Sequence, residues 1–249
     1  MKQLHTLVSA ATNNAAYISR NEWNDDHAPG YGLRKRMVED EMLNAGTGTG
    51  NLGRLNWVSN FTGSGGVQEP TAADSTINHI GGKELFTGTT SGNYTAMTNG
   101  SGLSTLATRI EDVNSFTWVV WMDTITSITS LCGFMTDASS KTQADSVHFK
   151  FDPSVSANWE CYVRGASAGA AQDSGIAVVA SNWYVLHARR SGATDWILKV
   201  NAGADKTFNS NLPAAALTFG MTVHTNTTAN RFLSADYVCM VVDTQTARY

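Results

Sequence analysis

The residues able to do chemistry are scattered along this chain rather than clustered. Cleaving a glycosidic bond takes two carboxylates on one face, one to donate a proton and one to attack or to activate water. On a strand that means acids at alternate positions, and no E-x-D-x-E run or close variant occurs. Glu111 and Asp112 are adjacent, so a strand would send them to opposite faces. Asp123, Glu160 and Asp236 stand alone. Six histidines and many serines make chance pairings unavoidable, but no G-x-S-x-G elbow is present. The sequence nominates no catalytic residue.

Metal chemistry fares no better. Asp25, Asp26 and His27 could meet on a symmetry axis, yet no second ligand cluster has recognisable spacing, which favours a solvated turn. Asp137, Asp145 and the Asn226–Asn230 loop offer oxygen atoms for a calcium ion, but in the spacing of ordinary turn residues. Cys132, Cys161 and Cys239 are odd in number, far apart and set among apolar residues, which reads as buried free thiols. No cofactor and no metal are implied. Among the aromatics, Trp121, Trp159, Tyr162, Trp183 and Trp196 fall on strand-like segments. Most must be core, and one or two are left to stack on a sugar or a subunit.

The composition says what kind of scaffold carries these residues. Of 249 residues only 15% are charged, against about 25% in ordinary soluble proteins. The difference is made up by 29 Thr, 22 Ser, 19 Asn and 22 Gly, which favour strands and turns. A net charge of −4 lacks the basic footprint of a nucleic-acid binder. No run of 18 apolar residues exists to span a membrane, and the first residues lack a secretory apolar stretch. Synthesis in a cytoplasm is the expectation.

From Leu55 onward, short alternating strands follow one another. Val147, Phe149 and Phe151 share one face, and after a Pro153-containing turn Trp159, Cys161 and Val163 alternate again, forming a hairpin. A second hairpin pairs residues 183–190 with 195–201, and a long strand covers 232–242. The fold class expected is all-β: a two-sheet antiparallel jelly-roll sandwich over residues 55–249, with Trp118, Phe149, Phe151, Trp159, Cys161 and Leu198 facing inward. Residues 1–54 read as an extended N-terminal attachment arm. It carries one short helix over 33–44, where Leu33, Met37, Val38, Met42 and Leu43 approach helical spacing, and the Gly-rich linker 45–50.

Two resemblances follow from these residues. The segments Phe116-Thr117-Trp118, Trp183-Tyr184-Val185, Leu198-Lys199-Val200-Asn201 and Asp236-Tyr237-Val238 resemble the concanavalin A-like lectin/glucanase sandwich, in particular its laminin-G-like branch. Ala202 stands at the usual turn glycine, which comes one position later at Gly203. In the arm, Ser19-x-x-Glu22-Trp23-Asn24-x-x-His27 is similar to a segment of tailed-bacteriophage virion proteins, of the tail-fibre and accessory structural kinds. The resemblances imply a non-enzymatic structural protein of the virion surface, a capsid decoration, head fibre or tail-fibre component, with host-surface glycans as a further ligand. A free carbohydrate-binding lectin is the alternative, and a glycoside hydrolase follows it. The implied partners are other virion proteins of capsid or tail and further copies of the chain, with a trimer favoured.

The arm, residues 1–32, holds too few apolar side chains to offset an ordering cost of about 1–2 kcal/mol per residue. It therefore needs a partner, with Tyr17 and Trp23 as anchors and His27 at the rim. Deleting residues 1–32 is expected to leave a folded sandwich with a nearly unchanged circular dichroism spectrum that no longer attaches to particles. Normal occupancy of the truncated protein on virions would remove the anchoring role.

Overall fold

A computed structural model describes residues 35–40, 57–68, 82–99, 110–166, 168–169, 171–192, 195–213 and 217–243. Tyr17, Trp23 and His27 lie outside them. In chain order the strands are β1 (Lys35–Asp40), β2 (Trp57–Phe61), β3 (Gly66–Gln68), β4 (Lys83–Phe86) and β5 (Tyr94–Asn99). Next come β6 (Val113–Met122), β7 (Ile128–Met135), β8 (Ser146–Phe151), β9 (Asn158–Arg164) and β10 (Ala171–Ala177). The last five are β11 (Asn182–Ser191), β12 (Asp195–Val200), β13 (Lys206–Phe208), β14 (Thr218–Thr225) and β15 (Phe232–Asp243). Helix among the described residues is confined to the 3-10 turn Ile110–Asp112. The expected all-β jelly-roll sandwich is what forms.

One sheet runs β13-β12-β11-β6-β15-β4-β3 and the other β10-β9-β8-β7-β14-β5-β2, with every pairing antiparallel. Both hairpins read from the alternation are present: β8 pairs β9, and β11 pairs β12. All six residues assigned to the interior are buried, none more than 1% exposed in the cases of Trp118, Phe149, Phe151, Trp159, Cys161 and Leu198. β15 shows how register protects the core. Leu233 and Ala235 face inward, then Val238, Met240 and Val242 do, so the inward phase changes from odd to even positions. The register shift between Ala235 and Tyr237, with Asp236 as the extra residue, makes that change possible.

The helix expected over 33–44 is not formed. Residues 35–40 are β1, paired residue for residue with β15 from Lys35↔Asp243 to Asp40↔Val238. The reason lies in β15. Its outer edge is covered by β4 only over Phe232–Ala235, which leaves the backbone groups of 238–243 without a ladder. Filling that edge satisfies more hydrogen-bonding groups than a three-turn helix with a weak apolar stripe, so tertiary demand overrides local propensity. The sheet thus draws a strand from within residues 1–54.

The inward faces meet in a layer of rings. Phe116 approaches Phe134, Phe149 and Phe219 at 5.5, 6.3 and 5.6 Å, and Phe151 packs 6.0 Å from Trp159. Phe151→Ala opens a cavity between the sheets and should cost about 3–5 kcal/mol, read from the shift in a urea unfolding curve. A loss below about 1 kcal/mol would mean that the ring contributes little to the core.

Candidate functional site

Positions facing away from the core on the β10-to-β2 sheet carry a cluster of ionisable and aromatic groups among the described residues. Because Val147, Phe149 and Phe151 face inward, His148 and Lys150 face outward on β8, with Asp152 just beyond it. By the same alternation Glu160, Tyr162 and Arg164 face outward on β9. Register then sets the neighbours: His148 lies opposite Tyr162, and Lys150 opposite Glu160. On the far side of His148 come Gly133 and, beyond it, Gly220. A Cβ on Gly133 would lie 2.5 Å from the Val147 carbonyl oxygen, so the sheet is bare backbone there.

The imidazole of His148 and the ring of Tyr162 are stacked, 4.8 Å between centroids and 9° from parallel. The Tyr162 hydroxyl donates to Glu160 Oε2 at 3.1 Å. Asp152 is held from every side. Its Oδ1 accepts the Ser154 amide at 3.1 Å and the Ser154 hydroxyl at 2.6 Å. Its Oδ2 accepts the Thr129 hydroxyl at 3.3 Å and lies 3.5 Å from Lys150 Nζ. On β10, Asp173 binds the Asn158 amide through both oxygens at 2.9 Å and takes the Gly175 amide at 2.7 Å. The middle of this face is closed, with Leu131, Thr222 and His148 buried. It opens toward β9 and β10, where Tyr162 is half-buried and Asp173 exposed.

Protonation follows from these surroundings. Burial raises the Glu160 carboxyl, and the Tyr162 hydrogen bond and Lys150 only partly oppose it. At Asp152 burial acts in the same direction, but the Ser154 hydrogen bonds, Lys150 and Thr129 outweigh it and hold the carboxyl low. Burial, helped by Lys150 and Arg164, pushes His148 down to about 3, so its ring is neutral. His224 lies 5.6 Å from the Tyr94 ring, tilted by 32°, on the same face, and burial with Lys141 and Lys150 pushes it down to about 4.

The sequence treats Glu160 as solitary, whereas the hairpin brings Asp152 and Lys150 to its side. That neighbourhood crosses two strands and leaves no mark at fixed spacing. Tyr162, which the sequence marks only as a strand aromatic, stays partly accessible, as does Trp183; Trp159 and Trp196 are core. Trp121 and Trp183 pair at 5.5 Å on the outer face of the other sheet. The calcium candidates hold turns instead. Asp137 Oδ1 accepts the Ser139 amide and hydroxyl at 2.8 and 2.7 Å, Asp145 Oδ1 accepts the Ala166 amide at 3.0 Å, and Asn226 Oδ1 accepts Lys141 Nζ. Among the described residues no three His, Cys, Asp or Glu side chains gather as a metal site. Cys132, Cys161 and Cys239 are all buried.

No protein-family model and no curated protein matches the chain. Solved structures do. A protein of unknown function, SO2946 from Shewanella oneidensis MR-1, superimposes with a TM-score of 0.58 at 12% identity, over 95% of this chain and 100% of that one. The β-glucanase of Bacillus licheniformis follows with 0.53 at 10% identity, over 82% and 97%. The Crh5 transglycosylase gives 0.53 at 11% identity, over 86% and 87%. At such identities the likeness shows the fold, a jelly-roll sandwich of the glucanase and lectin kind.

The two histidines give a pH signature. Their folded pKa values lie below the unfolded value near 6.5, so their contribution is complete above that pH and is lost as pH falls toward 4 and then 3. Stability in chemical denaturation should therefore fall between about pH 6.5 and about pH 4, before most carboxylates titrate. A His148→Asn/His224→Asn variant should show a flatter pH profile over that window. An equally steep profile in the variant would assign the acid sensitivity to other groups.

Proposed function

We propose that this chain is a non-enzymatic structural protein of a phage virion surface, whose sandwich binds glycans on the open side of the β9–β10 face. The observation that carries the binding half is the Tyr162–His148 stack edged by Lys150 and Glu160. A half-buried ring backed by a second ring offers an apolar platform for a sugar face, and the flanking charged groups can accept from and donate to its hydroxyls. The sandwich shared with a β-glucanase and a transglycosylase is in keeping with a saccharide on a sheet face. The attachment half rests on the arm's Glu22-Trp23-Asn24-x-x-His27 segment.

One observation favours the hydrolase reading. Asp152 is held low and Glu160 is raised, the opposed directions that a nucleophile and a proton donor need. What speaks against it is the occupancy of Asp152. Both its oxygens are engaged by Ser154, Thr129 and Lys150, so neither is poised to attack an anomeric carbon or to orient a water.

The test is a glycan array with the wild-type chain, Tyr162→Ala and Glu160→Gln, paired with a reducing-sugar assay on any glycan that binds. Binding is expected to weaken about tenfold or more in Tyr162→Ala, with no turnover by any form. Turnover that Glu160→Gln abolishes would put the hydrolase reading in its place. Mass spectrometry of purified particles checks the location: presence is expected, and absence would leave a free lectin.

A further inference from the structure

The buried middle of the outward face on the β10-to-β2 sheet lies beneath a loop. Thr129, Leu131, Thr222 and His224 point away from the core, yet none is more than 1% exposed. The segment 136–145, which joins β7 to β8, passes over them. It leaves β7 at Met135, whereas Asn226 is bonded to Ser127 and Thr129 at the opposite end of that strand, about 25 Å away. Lys141 nevertheless donates through Nζ to Asn226 Oδ1, so the segment folds back along the strand. It follows the outer face, because the charges of Lys141 and Asp137 act on His224.

This segment holds its own shape. Gln143 fills its centre, accepting the Asp137 amide at 3.0 Å and donating to the Asp137 and Ser140 carbonyls at 2.7 Å. At the neck the Thr136 hydroxyl donates to the Asp145 carbonyl at 2.7 Å and accepts the Asp145 amide at 3.0 Å. Among the described residues, its hydrogen bonds to the rest of the chain are those of Asp145 with the Ala166 amide and of Lys141 with Asn226. The first lies at the neck and the second at the tip. Its apolar side chains are Ala138 and Ala144, so little apolar burial holds it down. The floor beneath is unlike a finished core layer. His148 Nδ1 is buried with no hydrogen-bond partner among the described residues, and His224 Nε2 reaches the Thr222 hydroxyl only at 3.4 Å. Beside His148, Gly133 and Gly220 leave a row without side chains across β7 and β14.

We propose that segment 136–145 is a lid latched by Lys141 on Asn226, and that it lifts to let a saccharide longer than the Tyr162 platform run across β8, β7 and β14. The proposal rests on the glycan reading given above and adds how that face is gated. Neutral imidazoles each offer one donor and one acceptor, which suits the hydroxyls of an uncharged sugar chain. The glycine row gives such a chain room against the sheet. With the lid down, only the open side at Tyr162 receives a ligand.

The experiment uses the full chain and two measurements. Diethyl pyrocarbonate labels accessible neutral imidazoles, and peptide mass spectrometry reads each histidine separately. Lys141→Ala removes the latch and should speed labelling of His224 and His148 by about fivefold or more, with His187 on the other sheet unchanged. In the second measurement, Lys141→Cys/Asn226→Cys is bridged by a short bis-maleimide to hold the lid shut, while Cys132, Cys161 and Cys239 stay buried. On an oligosaccharide array the bridged form should bind the longer chains about tenfold or more weakly than the same variant left unbridged. Unchanged labelling in Lys141→Ala, or equal binding by the bridged and unbridged forms, would overturn the lid and leave the glycan reading standing. Faster labelling with no saccharide bound by any form would uphold a moving lid and overturn the saccharide as what it admits.

Discussion

Phe219 is the residue on which the two sheets close. From β14 its ring lies 4.7 Å from Phe134 on the neighbouring strand, and 5.2 and 5.6 Å from Trp118 and Phe116 across the core. It also reaches Trp57 on β2 at 6.0 Å. One ring therefore touches both layers and the edge of its own sheet. Tilted and edge-on aromatic contacts are worth about 0.5–1.5 kcal/mol each beyond their buried area. More important, they fix which face of every strand looks inward, because a one-residue slip would send the whole aromatic set into water. The outward placement of His148, Lys150, Glu160 and Tyr162 is the complement of that choice.

The unusual composition has a structural meaning at the strand ends. Ser139 bonds Asp137, Ser154 bonds Asp152, Gly175 bonds Asp173, and the Asn158 and Ile176 amides bond the Ser156 and Ser174 hydroxyls. Each spans two residues, the short-range pattern by which Asp and Ser hold a turn without help from elsewhere. A chain built from many short strands needs many such turns, and small hydroxyl and amide side chains supply them where Lys and Glu cannot. Low charge is thus a property of the architecture before it is a clue to any partner.

This also explains what could be read from sequence. Alternation over 147–164 and 183–201 gave the hairpins and the inward residues, since each strand there reports its own two faces. β1 escaped because its signal is borrowed: Lys35–Asp40 is extended only because the edge of β15 beyond Ala235 needs a partner. The neighbourhood of Asp152 and Glu160 escaped for a related reason, being a product of register across a turn rather than of spacing along a strand. Tyr17, Trp23 and His27 lie outside the described residues, so neither the strand pattern nor the sandwich speaks for them.

Asp152 joins these threads. Its carbonyl and both carboxylate oxygens are spent on the turn that follows β8, through Val155, Ser156, Ser154 and Thr129. The same bonds that stiffen the turn engage both carboxylate oxygens, and with Lys150 drawn toward Asp152, burial keeps the neighbouring Glu160 carboxyl raised. The turn thus fixes one arrangement of the outward groups on this face, with His148 stacked on Tyr162 and Tyr162 bonded to Glu160.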